Sequence, residues 1–477
     1  MSARLRNALM LAAFAGLILT PTAIAMAVIA AMVGISAIRG ARLLARRRSS
    51  RAREGEIVLG VDGYGRLVRL RDDELSAPGL ILGASGAGKT TTLLTILSDQ
   101  IARGRPVVAI DMKGSPAFAR TLADAAAAAG RPIKVWTIDG GAHWNPLAHG
   151  NATELKDKIM ATERFTEPHY QRAAERYVQT VLQVLAHASP GVPPTLNEVV
   201  DLMDPRRLAT ALRSLDRPHR ERVQDYLAGL THDQHSAIRG LQTRLAVLTE
   251  SHTAPFLAPP AEPGDDPTID LRDAVRGPDV VVFSLNSSRY GKLASQIGTL
   301  AVQDLVAASG DRLDAGSDAG VAGRAMIGID EFSALGADHV MALLARGRES
   351  GITVLVATQE LADLERAAAG LRDQVLGVTA IKIAHRQEVP ASANTVAQIA
   401  GTEKVWEVTR QLGGWLLGGP GTGRGTKRQV EEFVVHPNDI KSLRTGEAVV
   451  ISKIRGGRPK TVRVNPPPRR PPPELGR

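Results

Sequence analysis

The chain has 477 residues, of which 44% are hydrophobic and 23% charged, a composition typical of a globular protein with two or three domains. It contains no cysteine, which excludes disulfide bonds, thiolate metal sites and cysteine nucleophiles. The net charge is +10, but residues 1–53 hold nine arginines and no acid, and residues 453–477 hold eight basic residues and one acid. The body between them therefore has a net charge of −6, so a nucleic-acid contact needs a local basic patch or pore.

The first predicted element is an apolar segment, residues 8–38, that carries no charged side chain. As a helix it spans roughly 46 Å, against the ~30 Å of a membrane core, and it is too short for two full spans. Seven arginines follow it and two precede it, so the positive-inside rule places its C-terminal side in the cytoplasm. We expect a cell-membrane anchor, as a single span or a shallow hairpin; a signal peptide cleaved near Ala27 is the alternative.

The segment LILGASGAGKTT, residues 80–91, fits the phosphate-loop pattern G-x-x-x-x-G-K-[ST]. An apolar strand pattern precedes it and a helical pattern follows. Backbone N–H groups and a helix N-terminus bind phosphate, while Lys89 reaches the β- and γ-phosphates and Thr90 ligates Mg²⁺. The sequence therefore predicts that ATP and Mg²⁺ are bound here. The predicted binding residues are Gly83, Ala84, Ser85, Gly86, Ala87, Gly88, Lys89, Thr90 and Thr91.

Two adjacent acids end the strand pattern of AMIGIDEFSALG, residues 325–336. Buried strands do not usually end in paired carboxylates without a chemical reason. Asp330 is placed as the second Mg²⁺ ligand, and Glu331 as the group that polarises the attacking water. Together the two acids predict hydrolysis of ATP and not binding alone.

Polar residues also follow the next strand pattern, and two arginines precede it. Gln359 comes after the apolar run 352–356, at the strand end where α/β sheets bind ligands, so it is a candidate sensor of the γ-phosphate. Arg346 and Arg348 lie in or just after a helical segment. They are either solvated surface residues or an arginine finger that reaches the ATP of a neighbouring subunit.

The strand patterns alternate with helical segments, which predicts a parallel, doubly wound α/β sheet. These patterns cover residues 107–110, 133–138, 280–285, 326–329, 352–356, 379–383 and 448–451. No strand pattern occurs between residues 151 and 250, where a capping box at Thr195 and Glu198 and the pair Asp204-Pro205 start helices. The proline-rich C-terminus reads as a disordered basic tail.

These patterns divide the chain into five parts. They are a membrane anchor with an arginine-rich cytoplasmic flank (1–53), the first part of a nucleotide-binding domain (54–150), an inserted all-α domain with its linker (151–267), the second part of the nucleotide-binding domain (268–460) and the tail (461–477).

Several motifs, in order, resemble those of type IV secretion coupling proteins, the membrane-anchored ATPases of bacterial conjugation. The resemblance covers most of residues 54–455. The motifs are GASGAGKT at 83–90, DMKGS at 111–115, WNPL at 144–147, IDEFSALG at 329–336, ARGRESG at 345–351 and ATQEL at 357–361.

The resemblance implies a RecA-like P-loop fold and a homo-hexameric motor that drives relaxase-bound, single-stranded DNA toward a type IV secretion channel. It implies that the helical insertion faces the cytoplasm and helps to recognise the relaxase or another secreted protein substrate, and that Arg348 acts in trans. Family members often carry two full membrane helices, whereas this chain has room for one span or a shallow hairpin, which puts contact with an outer channel partner in doubt.

Two other functions stay open. One is an ATP-dependent receptor that recruits protein substrates for secretion without moving DNA, which the acidic body favours. The other is a chromosome-partitioning-type translocase of double-stranded DNA, against which the long helical insertion argues. Stimulation of ATP hydrolysis by DNA distinguishes these readings.

Overall fold

A computed structural model describes residues 55–163, 165–262, 264, 266–314, 323–335, 337–410, 425–454 and 456–467. The predicted membrane segment, residues 8–38, lies outside these ranges. Among the helices that are described, none has the length and apolarity needed to cross a membrane.

The described chain alternates strands and helices on both sides of a long helical stretch. The strands are β1 (Glu56–Val61), β2 (Leu67–Arg71), β3 (Gly79–Leu82), β4 (Val107–Asp111), β5 (Ile133–Thr137), β6 (Gly140–Gly141), β7 (His143–Trp144), β8 (Thr268–Ile269), β9 (Val280–Ser284), β10 (Ala325–Asp330), β11 (Ile352–Thr358), β12 (Ile381–His385), β13 (Thr402–Arg410), β14 (Gly425–Phe433), β15 (Glu447–Ser452) and β16 (Lys460–Val464). The α-helices are α1 (Lys89–Ala102), α2 (Pro116–Ala128), α3 (Ala152–Met160), α4 (Pro168–Ala188), α5 (Leu196–Leu202), α6 (Pro205–Ala211), α7 (Arg217–Ala228), α8 (His232–Thr249), α9 (Leu271–Ala274), α10 (Ser287–Asp314, kinked at Gly291), α11 (Ala337–Gly347), α12 (Leu361–Ala367), α13 (Leu371–Val378), α14 (Pro390–Ala400) and α15 (Pro437–Ser442).

A twelve-stranded sheet forms the centre of the fold, in the order β2-β1-β16-β15-β12-β3-β11-β10-β4-β9-β5-β6. From β12 to β5 every neighbouring pair is parallel. Strands β3, β10 and β11 are buried along their whole length, as expected of a parallel sheet with helices on both faces. The predicted α/β architecture is confirmed for this part of the sheet.

The sheet is mixed, so the prediction of a wholly parallel sheet is wrong at its sides. Strand β15 runs antiparallel to both β12 and β16, β16 runs antiparallel to β1, and β6 runs antiparallel to β5. Three of these strands lie outside the predicted set. The tail predicted from residue 461 begins inside β16, because alternate residues Val462 and Val464 are buried in the sheet while Arg463 faces outward. Residues 468–477 of that tail lie outside the described residues.

Strand β12 is displaced by two residues from its predicted range of 379–383. Its register is set by β3, with Ile381 opposite Gly79 and Ala384 opposite Leu82. The sequence pattern does not specify where the strand starts, because an apolar residue, Val378 or Ala380, precedes both the predicted and the observed first residue. The displacement places His385 at the strand end, level with the start of the phosphate loop.

The described residues between 151 and 250 form six α-helices joined by short turns and contain no strand, as predicted. The capping box of Thr195 and Glu198 is present at the start of α5, and the Asp204 side chain caps α6. Two further capping boxes start α3 and α8. Short polar capping residues therefore mark where helices of this insertion begin, and its buried leucines and valines form part of the hydrophobic core.

One buried polar cluster ties the WNPL segment to the insertion and to α10. Lys158 of α3 lies 2.8 Å from Asp304 Oδ1 of α10, and it also donates to the carbonyl oxygens of Pro146 and His149. The indole Nε1 of Trp144 donates to Asp304 Oδ2 at 3.2 Å. The WNPL motif therefore helps to hold the insertion and α10 together through this buried cluster.

Strands β13 and β14 form an antiparallel ribbon that is separate from the main sheet. Trp406 and Val408 are exposed on it, and the Lys427 ammonium lies 5.2 Å from the centre of the Trp406 ring. The ribbon was not predicted, because polar and charged residues together interrupt its apolar pattern at most positions.

Candidate nucleotide-binding and hydrolysis site

The predicted phosphate loop connects β3 to the first turn of α1. Its tip, Ser85 and Gly86, is exposed, whereas Ala84 and Ala87 are buried. Gly88 caps the helix with a φ of 119°, in the left-handed region that favours glycine. The loop therefore presents the N-terminus of α1 beside an open backbone, which suits an anion.

The underside of the loop rests on residues from the C-terminal half of the chain. The Ala84 N–H donates to the Arg386 carbonyl, and the Gly446 N–H donates to the Ala87 carbonyl, both at 2.9 Å. A Cβ on Gly83 would lie 2.6 Å from the Cβ of His385. This close approach explains why only glycine fits at the first position of the loop.

His385 is fully buried under the loop and is held at both ring nitrogens. Nδ1 lies 2.9 Å from the Glu447 carbonyl oxygen, which accepts only, so Nδ1 carries the proton and Nε2 accepts from Thr92 Oγ1 at 2.8 Å. Burial, together with the charge of Lys89, lowers the pKa of His385 to about 4. The imidazole is therefore a neutral support for the loop.

Lys89 is buried and turns back toward its own loop. Its Nζ donates to the carbonyl oxygens of Gly83 at 2.5 Å and Ala84 at 3.2 Å. Burial lowers the pKa of Lys89, and repulsion from Lys113 lowers it further, while nearby carboxylates oppose the shift. An ammonium in these surroundings gains from a phosphate, which offers it the negative charge that carbonyl oxygens lack.

The loop and the predicted acids meet at one contact. Thr90 Oγ1 donates to Asp330 Oδ2 at 2.6 Å, across 240 residues of sequence. Asp330 is fully buried at the end of β10, and its Oδ1 has no hydrogen-bond partner within the described part of the chain. An unsatisfied buried carboxylate oxygen beside a hydroxyl is a donor set that fits a hard divalent cation such as Mg²⁺.

The described residues contain no group of three or more histidine, aspartate or glutamate side chains that could hold a metal ion. An Mg²⁺ ion at Thr90 and Asp330 would be held by few protein ligands, with phosphate and water able to supply the others. This is the usual way in which Mg²⁺ is bound in nucleotide sites.

Asp111 ends β4 directly opposite Asp330 in the parallel register. Its carboxylate accepts the backbone N–H groups of Lys113 at 3.0 Å and Ser115 at 2.6 Å. Burial raises the pKa of Asp111 to about 6, the two N–H bonds oppose the shift, and the charge of Asp330 adds to it. The DMKGS motif therefore forms a turn at the same sheet edge as the paired acids.

Glu331 follows Asp330 in a left-handed conformation, with a φ of 58° and a ψ of 45°. Its Oε2 lies 2.8 Å from Nζ of Lys113. Burial by itself lowers the pKa of Lys113, but Glu331, Asp330 and Asp111 outweigh it and raise that pKa. Glu331 therefore lies at the predicted edge, engaged by a lysine that the sequence-based site did not include.

Gln359 and its neighbours lie at the end of β11, between β3 and β10 in the sheet. Gln359 is half-buried, and Thr358 before it is fully buried with no hydrogen-bond partner for its hydroxyl among the described residues. Glu360 caps α12 and accepts from Ser392 Oγ at 2.8 Å; burial raises its pKa. The structure thus brings Gln359 to the same edge as the phosphate loop.

The two arginines are placed elsewhere. Arg346 is exposed on α11, and Arg348 is exposed between α11 and the start of β11. Because β11 is parallel to β3, its start lies at the edge of the sheet opposite to the phosphate loop. The structure therefore does not bring Arg346 or Arg348 to the phosphate loop of the same subunit.

Sequence reasoning missed four residues that surround the candidate site: Asp111, Lys113, Thr358 and His385. Asp111 and Lys113 belong to a motif that was noted for its family resemblance, and the polar end of β4 was available as a signal. Thr358 directly precedes Gln359, so the polar end of the same strand pattern was available as a signal. His385 gave no signal, because its position depends on the register of β12.

The chain is similar to known proteins in one domain of its sequence and in its fold. Residues 324–445 match the family described as the TraM recognition site of TraD and TraG. No curated protein matches the sequence significantly.

The fold matches that of the bacterial conjugative coupling protein TrwBdeltaN70 in its unbound monoclinic form, with a TM-score of 0.63 and 14% identity over 89% of this chain and 92% of that chain. The plasmid coupling protein TrwB in complex with ADP and Mg²⁺ matches with a TM-score of 0.60 and 15% identity, over 88% and 90% of the two chains. VirB4 of Thermoanaerobacter pseudethanolicus matches with a TM-score of 0.56 and 15% identity, over 87% and 97%. In its matched domain and in its fold, the chain resembles the type IV secretion coupling proteins, as its motifs predicted.

Proposed function

We propose that this chain is an ATP-hydrolysing coupling protein that brings relaxase-bound, single-stranded DNA to a type IV secretion channel and drives its transfer in conjugation. The ATPase part rests on one observation, the 2.6 Å contact between Thr90 and Asp330 that joins the phosphate loop to the end of β10. The DNA-transfer part is supported by the match of residues 324–445 and by the likeness to a conjugative coupling protein.

The proposed reaction uses groups that lie at one edge of the sheet. Lys89 exchanges the carbonyl oxygens of its loop for the β- and γ-phosphates. Thr90 and Asp330 would hold Mg²⁺, which would neutralise phosphate charge. Glu331 accepts a proton from water as the water oxygen attacks the γ-phosphorus and the bond to the β-phosphate oxygen breaks. Gln359 contacts the γ-phosphate and reports its presence.

The proposed assembly completes the site in trans. Because Arg348 lies at the opposite edge of the sheet, it can reach phosphate only in a neighbouring subunit, as in a homo-hexameric ring. We further propose that residues 8–38 anchor the ring in the cell membrane, with the ATPase body in the cytoplasm. The channel components and the relaxase or other secreted protein are its expected partners.

The test is ATP hydrolysis by the full-length protein, alone and with single-stranded or double-stranded DNA. Lys89→Ala should lower turnover by about 10²–10³-fold, because the phosphates lose their cation. Glu331→Gln should lower turnover to a similar degree while ATP stays bound. The control is Lys441→Ala, which removes an exposed lysine of α15. Unchanged turnover in Lys89→Ala would overturn the assignment of the loop.

The response to DNA separates the three functions. Stimulation by single-stranded DNA is expected for the coupling protein, and stimulation only by duplex DNA supports the chromosome-partitioning-type translocase. Hydrolysis that is indifferent to both DNAs supports recruitment of protein substrates, which the net charge of −6 on the body also favours.

A further inference from the structure

Lys113 contacts the proposed catalytic carboxylate, yet the reaction described above gives it no role. Its Nζ lies 2.8 Å from Oε2 of Glu331, and the two side chains are 38% and 13% exposed. Strands β4 and β10 are parallel neighbours in which Asp111 stands opposite Asp330. The pair therefore forms directly beyond the ends of two adjacent strands, at the edge where the phosphate loop lies.

Two constrained turns hold this pair in place. On one side, the Asp111 carboxylate accepts the N–H groups of Lys113 and Ser115. Gly114 between them has a φ of 65°, and a Cβ there would meet Asn286 at 2.5 Å. On the other side, Glu331 is one of two described non-glycine residues with a positive φ, a conformation that costs on the order of 1 kcal/mol. Such strain commonly persists at functional sites.

We propose that Lys113 restrains Glu331: the lysine engages the carboxylate that would otherwise accept a proton from water, and hydrolysis requires the pair to separate. The proposal rests on the proposed role of Glu331 as the water-activating group. With the ammonium 2.8 Å from Oε2, a water molecule has to compete with a cation for that oxygen before Glu331 can accept its proton there. Lys113 is therefore a positioning residue that acts through Glu331.

The surrounding charges suggest what separates the pair. The charge of Lys113 lowers the pKa of Lys89, whereas the charges of Asp330 and Glu331 act to raise the pKa of both lysines. A bound nucleotide brings phosphate charge to this edge and competes with Glu331 for the Lys113 ammonium. The side chain of Lys113 is half-exposed, so it has room to exchange one anionic partner for the other.

The test compares Lys113→Met, Lys113→Arg, Glu331→Gln and the double variant Lys113→Met/Glu331→Gln in the full-length protein. Without DNA, Lys113→Met should hydrolyse ATP about 2–5-fold faster than the wild type, a change of the size expected for a partly exposed ion pair. Lys113→Arg keeps the pair and should keep the wild-type rate. In the Glu331→Gln background, Lys113→Met should have no effect, which a merely structural role would not predict. The affinity for ATP should be the same in Lys113→Met and the wild type.

A Lys113→Met protein that binds ATP but hydrolyses it no faster than the wild type would overturn the restraint and leave the ATPase assignment intact. A second measurement does not depend on turnover. Acylation of Lys113 by an amine-reactive ester, followed by mass spectrometry, should be faster in Glu331→Gln than in the wild type, with Lys441 as the internal reference. Equal acylation rates in the two proteins would contradict the ion pair between Lys113 and Glu331, whether or not the protein hydrolyses ATP. A lack of ATP hydrolysis in the wild type would instead count against the proposed function.

Discussion

Two lysine–carboxylate pairs in this molecule have the same length and opposite surroundings. Lys158 and Asp304 lie 2.8 Å apart with side chains that are 3% and 4% exposed, while Lys113 and Glu331 lie 2.8 Å apart with side chains that are 38% and 13% exposed. Lys158 also donates to two carbonyl oxygens, and Asp304 also accepts from Trp144. In the described part of the chain, Lys113 makes no other ion pair within 4 Å.

The comparison shows that the length of an ion pair does not reveal its role. A pair that is enclosed and satisfied on all sides cannot separate without leaving a buried charge unpaired, so it fixes the fold. A pair at a solvent-accessible edge loses little when it opens, because water replaces the lost partner. We therefore expect the first pair to determine stability and the second to determine activity.

The largest expected effect comes from breaking the enclosed pair. Lys158→Met leaves Asp304 buried without its cation and should lower the free energy of unfolding by about 3–5 kcal/mol. The measurement is the urea-unfolding curve of the full-length protein. The double variant Lys158→Met/Asp304→Leu removes both charges and should recover most of the loss. If Lys158→Met alone is as stable as the wild type, the contrast between the two pairs is wrong.

A smaller effect concerns His385, which is buried under the phosphate loop and makes no ion pair within the residues that the structure describes. Its folded pKa of about 4 lies below the unfolded value of 6.5, so the unfolded chain binds more protons between these values. The contribution of the neutral His385 to the free energy of unfolding is fully present above pH 6.5 and is lost as the pH falls toward 4. His385→Gln cannot titrate, so between pH 7 and pH 4 the wild type should lose about 3 kcal/mol of unfolding free energy relative to it. Parallel pH curves for the two proteins would contradict a neutral histidine under the loop.

The smallest expected effect on stability is that of Lys113→Met. Because the pair is partly exposed, the free energy of unfolding should change by about 1 kcal/mol or less. The same urea experiment used for Lys158→Met provides the comparison under identical conditions. A loss as large as that of Lys158→Met would mean that Lys113 is a structural residue, and the proposed restraint of Glu331 would have to be abandoned.

Much of the fold was predictable because its signals are local. Apolar runs mark the central strands, and the capping residues of Thr195 and Asp204 mark helix starts. The phosphate loop is a contiguous motif between a strand and a helix, so its conformation follows from neighbouring residues. The strands β2 and β16 and the ribbon of β13 and β14 were missed because polar and charged residues interrupt their patterns. Strand β1 was also missed, although its apolar run is interrupted by no charged residue.

The site was predictable where sequence position alone fixes a residue at the sheet edge. Asp330 and Glu331 end one strand and Gln359 follows the next, and the structure places all three at the edge that holds the phosphate loop. Lys113 and His385 were not predictable in this way. Their contacts cross between strands β4 and β10, and between β12 and the loop, and nothing in a single strand specifies which neighbour it will have.

The sequence by itself determined the phosphate loop, the paired acids, the helical insertion and the apolar strands, because each depends on residues that are adjacent or a helical turn apart. The tertiary structure alone decided the strand order, the antiparallel side of the sheet and the register that puts His385 under the loop. It also decided that Lys113 contacts Glu331 and that Lys158 contacts Asp304. Such pairings depend on which strands and helices pack together, and that choice is made by burial of the whole core and by no local pattern.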